Sequence, residues 1–308
     1  VTDPTVSDLS LASPSRPGLW IRAARPRTLG LSVAPIVLAS GHAAALHGRI
    51  AMVPVIAATI SALAIQIATN LANDAADGER GLDGGNRLGP PRITGQGLMS
   101  AAEVRRGAIV ATLVACLSGL VAVVAGGWSI LFIGLASVLA AWAYSSGPRP
   151  ISGTPFGEFF VVAYFGVAAV TGTEWLAAGA IGCSALGLGL AVGLPAAAVL
   201  TVNNHRDREG DRISGRRTLA IVIGARGAVM LYAAELAFAP VVAAATLRAE
   251  GWTAWFVPLV MLLPAAVLVR RLAVLPIGRE LNGRLAATAG FQMLAVASIL
   301  VVFLGATP

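Results

Sequence analysis

Two short runs of asparagine and aspartate stand out in an otherwise apolar chain. In the first, Gln66, Asn70, Asn73 and Asp77 step by four, three and four, with Asp74 and Asp83 beside them. In the second, Asn203, Asp207 and Asp211 step by four, with Asn204 adjacent. Such steps put side chains on one face of a helix. Carboxylate and amide oxygens are hard ligands suited to magnesium, which is often shared with substrate phosphates. Two acidic faces repel each other unless a cation lies between them, and a diphosphate approaches them only through such a cation. Arg92, Arg206 and Arg217 lie close by in the sequence and are suited to hold the remaining phosphate oxygens. Asparagine and aspartate also cap helix ends for structural reasons alone, which accounts for one such run better than for two.

The elements that carry these runs are membrane helices. Of 308 residues, 56% are hydrophobic and only 12% charged, and the mean hydropathy is +0.79. A soluble chain of this length has too few charges there to cover its surface, whereas a bundle in lipid needs few. Alanine, valine, leucine and glycine dominate, and small residues let membrane helices pack closely. A span needs about 20 apolar residues. Nine stretches qualify, near 29–47, 51–73, 107–125, 128–146, 158–175, 183–203, 227–247, 252–269 and 285–305. The expected fold is therefore all-α, a polytopic bundle of about nine transmembrane helices. Residues 1–18, rich in Ser, Pro and Asp, read as a disordered tail, with one transmembrane domain over 19–308. The first apolar run continues into a full span, so no cleavable signal peptide is expected. Cys116 and Cys183 each sit in an apolar run and read as small hydrophobic side chains, neither disulfide nor metal pair.

All 22 positive residues are arginine. Four precede the first span, five follow the second, one the fourth, six the sixth and four the eighth, which leaves only Arg49 and Arg248 on the other side. Twenty arginines on one face place the N-terminus in the cytoplasm, the C-terminus outside and both acidic runs at the cytoplasmic edge of a cell membrane. A net charge of +7 is then a matter of topology and anionic lipid headgroups, not nucleic-acid binding.

Ionisable groups in a membrane also suit a transporter. Transporter sites, however, lie near the midplane in broken helices, while these acids cluster at an edge and only Glu235 is clearly within a span. A membrane phosphotransferase of the CDP-alcohol type needs an Asp-Gly-x-x-Ala-Arg run, and the stretch from Asp77 to Leu82 is not one.

The stretch NDAADGERGLDGGNRLGPPRITGQGLMS at 73–100 resembles the first Asp-rich motif of the UbiA superfamily of intramembrane aromatic prenyltransferases. NNHRDREGDRISGRRTLAIVIG at 203–224 resembles the second. WIRAARPRTLGLSVAPIVLASG, YSSGPRP followed by FGE, and ELNGRLAATA extend the likeness over most of the chain. Asp83, the Gly-Pro-x-Arg run ending at Arg92, and the Asn-Asn-x-Arg-Asp second motif are similar to the branch that prenylates 1,4-dihydroxy-2-naphthoate for menaquinone synthesis. The resemblance implies transfer of a polyprenyl chain from its diphosphate to that acceptor, with magnesium as cofactor and carbon dioxide and diphosphate released. Other members act on 4-hydroxybenzoate or homogentisate. It implies that Asn73, Asp77, Asp207 and Asp211 surround the magnesium and diphosphate, supported by Asp74, Asp83 and Asn204. Arg92 and Arg25 would bind the diphosphate region, and Tyr144 and Arg149 would lie near the reacting centre. Ala75, Ser146, Arg149, Ile151 and Gly153 depart from the naphthoate branch's usual residues, at positions expected to shape the acceptor pocket.

Overall fold

A computed structural model describes residues 15–81, 87–147 and 149–305. A short helix, α1 (Arg16–Ala24), is followed by α2 (Pro26–His47), α3 (Met52–Glu79), α4 (Ala101–Ser145), α5 (Gly157–Ala178), α6 (Ala185–Ile213), α7 (Leu219–Ala249), α8 (Phe256–Val274) and α9 (Asn282–Gly305). No strand occurs among the described residues. Eight of these helices are long and apolar enough to cross a bilayer, and one of the eight is two spans in series. In α4, Gly127 adopts φ 68° and ψ −155°, a left-handed break that only glycine takes without strain. Its two arms supply the expected third and fourth spans, which makes nine spans among the described residues. Helix α1 begins at Arg16, near the end of the stretch read as tail, and residues 1–14 lie outside the described residues.

Helices consecutive in sequence pack against one another. α3 lies along α4, α6 along α7, and α6 also touches α2, α5 and α9, which makes it the centre of the bundle. Contacts are built from small side chains such as Ala34, Ala39, Ala191 and Ala198, all at most 2% exposed. The outer face of α4 shows Leu113, Leu117, Val124, Phe132 and Leu139 to its surroundings. In water such a stripe would drive aggregation, whereas in lipid it is the solvated surface. Both cysteines are free.

Local sequence explains the joints. Pro26 starts α2 at a position where its missing N–H is harmless. Ser100 accepts a bond from the Glu103 N–H at 3.2 Å and caps α4. At the end of the bundle away from the acidic runs, His42 lies between carboxylates: Nδ1 is 3.1 Å from Glu174, and Nε2 is 3.1 Å from Glu250 and 2.8 Å from the Ser184 hydroxyl. Four helix ends, those of α2, α5, α6 and α7, are tied there by one ring. Inside the bundle Glu235 accepts from the Thr201 hydroxyl, at 2.9 Å to Oε2, which answers its need for a polar partner.

Candidate active site

The last three turns of α3 divide their labour. Asn70 donates to the Ala24 carbonyl at 2.9 Å and to Thr28 Oγ1 at 3.1 Å, so it holds the joint between α1 and α2. At that joint Arg25 has φ 54° and ψ 66°, a left-handed conformation rare for a side chain larger than glycine. Asp74 turns away from the acidic face of its helix. It accepts the backbone N–H groups of Ile93 and Thr94 at 3.2 and 3.1 Å and the Thr94 hydroxyl at 2.6 Å. Those bonds dock the segment that carries Arg92, whose Nη2 lies 2.6 Å from Asp77 Oδ2. Asp83 lies outside the described residues.

On α6 the same partition appears. Arg206 is 1% exposed and donates to Asp207 at 2.8 Å, to Asn203 at 2.8 Å and to Asn282 at 2.6 Å. Asn204 faces the other way and donates to Glu158 at 2.9 Å. Past the end of α6, Arg216 reaches back between the two motifs, 2.6 Å from Asp77 and 3.1 Å from Asp211. Burial alone favours the neutral guanidinium, but Asp77 and Asp211 outweigh it and hold the Arg216 pKa above its ordinary value. Arg217, the neighbour expected to take this part, is exposed, and its backbone N–H donates to Gly153 O at 2.8 Å. Arg149 is likewise exposed and outside the cavity wall, because the chain turns at Gly147 (φ 91°) and leaves it on the surface.

Below these side chains lies a cavity of about 860 Å³. Its rim includes Arg25, Asn73, Asn203, Arg206 and Tyr144, and its deep end is lined by Ala58, Ala62, Gly119, Ile130 and Leu176. The carboxylates of Asp77, Asp207 and Asp211 stand just behind the rim, each against an arginine. A polar, doubly charged head at one end and an apolar pocket at the other match a molecule with a diphosphate head and a hydrocarbon tail.

The donor set also fits magnesium. Asn73 and Asp77 on α3, and Asp207 and Asp211 on α6, offer only hard oxygen atoms. Among the described residues no three acidic, histidine or cysteine side chains converge into a metal cage. Magnesium bound through one or two carboxylates plus substrate phosphate needs no such cage. Two residues of this site escape a reading of the motifs. Arg216 sits beside an equally plausible arginine, and Asn282 belongs to neither acidic run, although it falls in the ELNG stretch.

A bundle of nine spans with two oxygen-rich helix ends over an apolar cavity defines an intramembrane enzyme of the prenyl-diphosphate type. The chain belongs to the UbiA prenyltransferase family, whose model matches residues 32–296. It is 35% identical over 234 residues to the 1,4-dihydroxy-2-naphthoate octaprenyltransferase of Mycobacterium tuberculosis, covering 76% of this chain and 79% of that one. It is 34% identical to the enzyme of the same name from Escherichia coli, covering 68% and 70%. The fold matches a UbiA homolog from Archaeoglobus fulgidus bound to GPP and Mg2+ with a TM-score of 0.68, at 15% identity, over 92% of this chain and 99% of that one.

Proposed function

We propose that this protein transfers a polyprenyl group from its diphosphate to 1,4-dihydroxy-2-naphthoate, within a single transmembrane domain over 19–308. The observation that carries the reading is Arg216 joining Asp77 of one acidic run to Asp211 of the other, just behind the rim of an apolar cavity. The identity to naphthoate prenyltransferases supports the choice of acceptor. The arginine asymmetry supports a cytoplasmic mouth.

The chemistry follows from the arrangement. Arg92, Arg206 and Arg216 offer charge-assisted donors to the diphosphate oxygens. Magnesium, held by Asn73, Asp77, Asp207 and Asp211, would supply Lewis-acid neutralisation of the same oxygens. The allylic C–O bond breaks with its electron pair leaving on the diphosphate, and the apolar walls keep water from the cation. The ring carbon that bears the acceptor's carboxylate, presented near Tyr144, donates a π pair to form the new C–C bond. The bond to the acceptor's carboxyl group then breaks, carbon dioxide leaves, and its electron pair restores the aromatic ring.

The test is purified protein in nanodiscs with farnesyl diphosphate, magnesium and a panel of aromatic acids. The expected result is diphosphate release and a prenylated naphthalenediol with dihydroxynaphthoate only. Preference for 4-hydroxybenzoate or homogentisate would overturn the acceptor, and no magnesium-dependent diphosphate release with any acid would overturn the reaction class.

A further inference from the structure

The last helix places one polar side chain against the head of the cavity. Asn282 opens α9, and its Oδ1 accepts from Arg206 Nη1 at 2.6 Å while its Nδ2 donates to the Leu88 carbonyl at 3.0 Å. The amide can sit only this way round. A guanidinium only donates and a carbonyl only accepts, so a flipped amide would set two donors and two acceptors face to face. One side chain therefore grips both acidic motifs. Through Arg206 it reaches Asp207 and Asn203 on α6. Through Leu88 it reaches the segment whose Arg92 meets Asp77 on α3. The guanidinium is also hemmed in by Gly89, where a Cβ would lie 2.8 Å from Arg206 Nη2.

We propose that Asn282 is a positioning residue for the prenyl diphosphate. It fixes Arg206 and the Arg92 segment relative to each other, and so sets the spacing of the cationic groups that receive the head. It acts through those two groups and not on the reacting atoms. The role rests on the diphosphate reading above, but it is independent of which aromatic ring is the acceptor.

The experiment measures binding of geranyl diphosphate by calorimetry to the full chain in nanodiscs, beside steady-state turnover and thermal stability. Asn282→Ala removes both bonds, and Asn282→Asp keeps an acceptor for Arg206 but sets an oxygen against the Leu88 carbonyl. Both are expected to weaken geranyl diphosphate binding by about tenfold, the scale of one or two lost hydrogen bonds to a charged group. The KM for the acceptor stays within about twofold. Gly89→Ala crowds the same guanidinium and reproduces the split, and the two changes combined weaken binding by less than the product of their separate effects. Unchanged donor affinity in Asn282→Ala overturns the proposal. So does an equal rise in donor and acceptor KM, or a loss of affinity in Asn282→Ala that Gly89→Ala does not share. Wild-type protein that binds geranyl diphosphate but prenylates no aromatic acid would sink the transfer reading and leave this titration in force.

Discussion

His42→Leu separates the end of the bundle that holds the helices together from the end that carries the two acidic runs. The ring is completely buried, and so is its partner Glu174, while the Glu250 side chain is 15% exposed. After the substitution Glu174 keeps the Gly182 N–H at 2.6 Å and Glu250 keeps the Ser184 N–H at 3.2 Å, while each loses its bond from the imidazole. Bonds to charged groups are worth about 1.5–3 kcal/mol each. Two of them, the second partly replaced by water, amount to about 3–5 kcal/mol, a large share of the roughly 5–15 kcal/mol that holds a domain folded. A drop in the thermal midpoint on the order of 10 °C follows. The pH dependence has a definite sign. Burial alone would raise the Glu250 pKa, but the bonds from Ser184 and His42 outweigh it and depress it. A depressed carboxyl stabilises the fold above its unfolded pKa of about 4.3, and that contribution vanishes as pH falls through the folded value. The part of the gap carried by the Glu250 bond is thus present at neutral pH and narrows below about pH 4. The assay is scanning fluorimetry in detergent at pH 7 and pH 4, with prenyl transfer per folded molecule measured below the melting range. An unchanged midpoint at pH 7 would refute the reasoning.

Three further outcomes follow from the cavity and its rim. Asp77→Ala and Asp211→Ala should each lower prenyl transfer by about a hundredfold or more, with the variants still folded in detergent; near-normal magnesium-dependent turnover in either would remove them from the site. Arg25→Gly should relieve about 1 kcal/mol of left-handed strain and leave the thermal midpoint equal or higher, while the KM for the donor rises; a lower midpoint would show that the conformation is held by something other than the joint. A Cβ at Gly119 would stand 3.4 Å from Ser61 Oγ, so Gly119→Leu narrows the deep half of the cavity. Turnover of long-chain donors should fall at least tenfold relative to geranyl diphosphate, and equal losses for both would place the tail elsewhere.

The helices were legible because a span is a length of apolar sequence and a break in it is a glycine. Gly126–Gly127 marks the middle of α4 in one dimension as in three. The acidic faces were legible for the same reason, since steps of three and four survive into any helix. What a single helix withholds is which neighbour a side chain meets. Asn73 and Asp74 are successive, as are Asn203 and Asn204, and successive residues point about 100° apart. Their partners therefore differ, and packing gives Asp74 to Thr94 and Asn204 to Glu158. Arg216 and Arg217 are indistinguishable by type, and the turn at Gly215 (φ 78°) decides which one reaches Asp77. Asn282 lies 76 positions from Arg206 in sequence, a pairing that only the assembled bundle creates.

The cavity that begins among charges and ends among alanine and leucine side chains has a kinetic consequence. One substrate brings a tail that dissolves in the bilayer and a head that stays at its surface, so the concentration the enzyme meets is counted per lipid, not per litre. Adding membrane at constant donor then dilutes the substrate and slows the reaction. Apparent affinities from detergent solution are comparable with each other only when the donor is expressed as a mole fraction of the amphiphile.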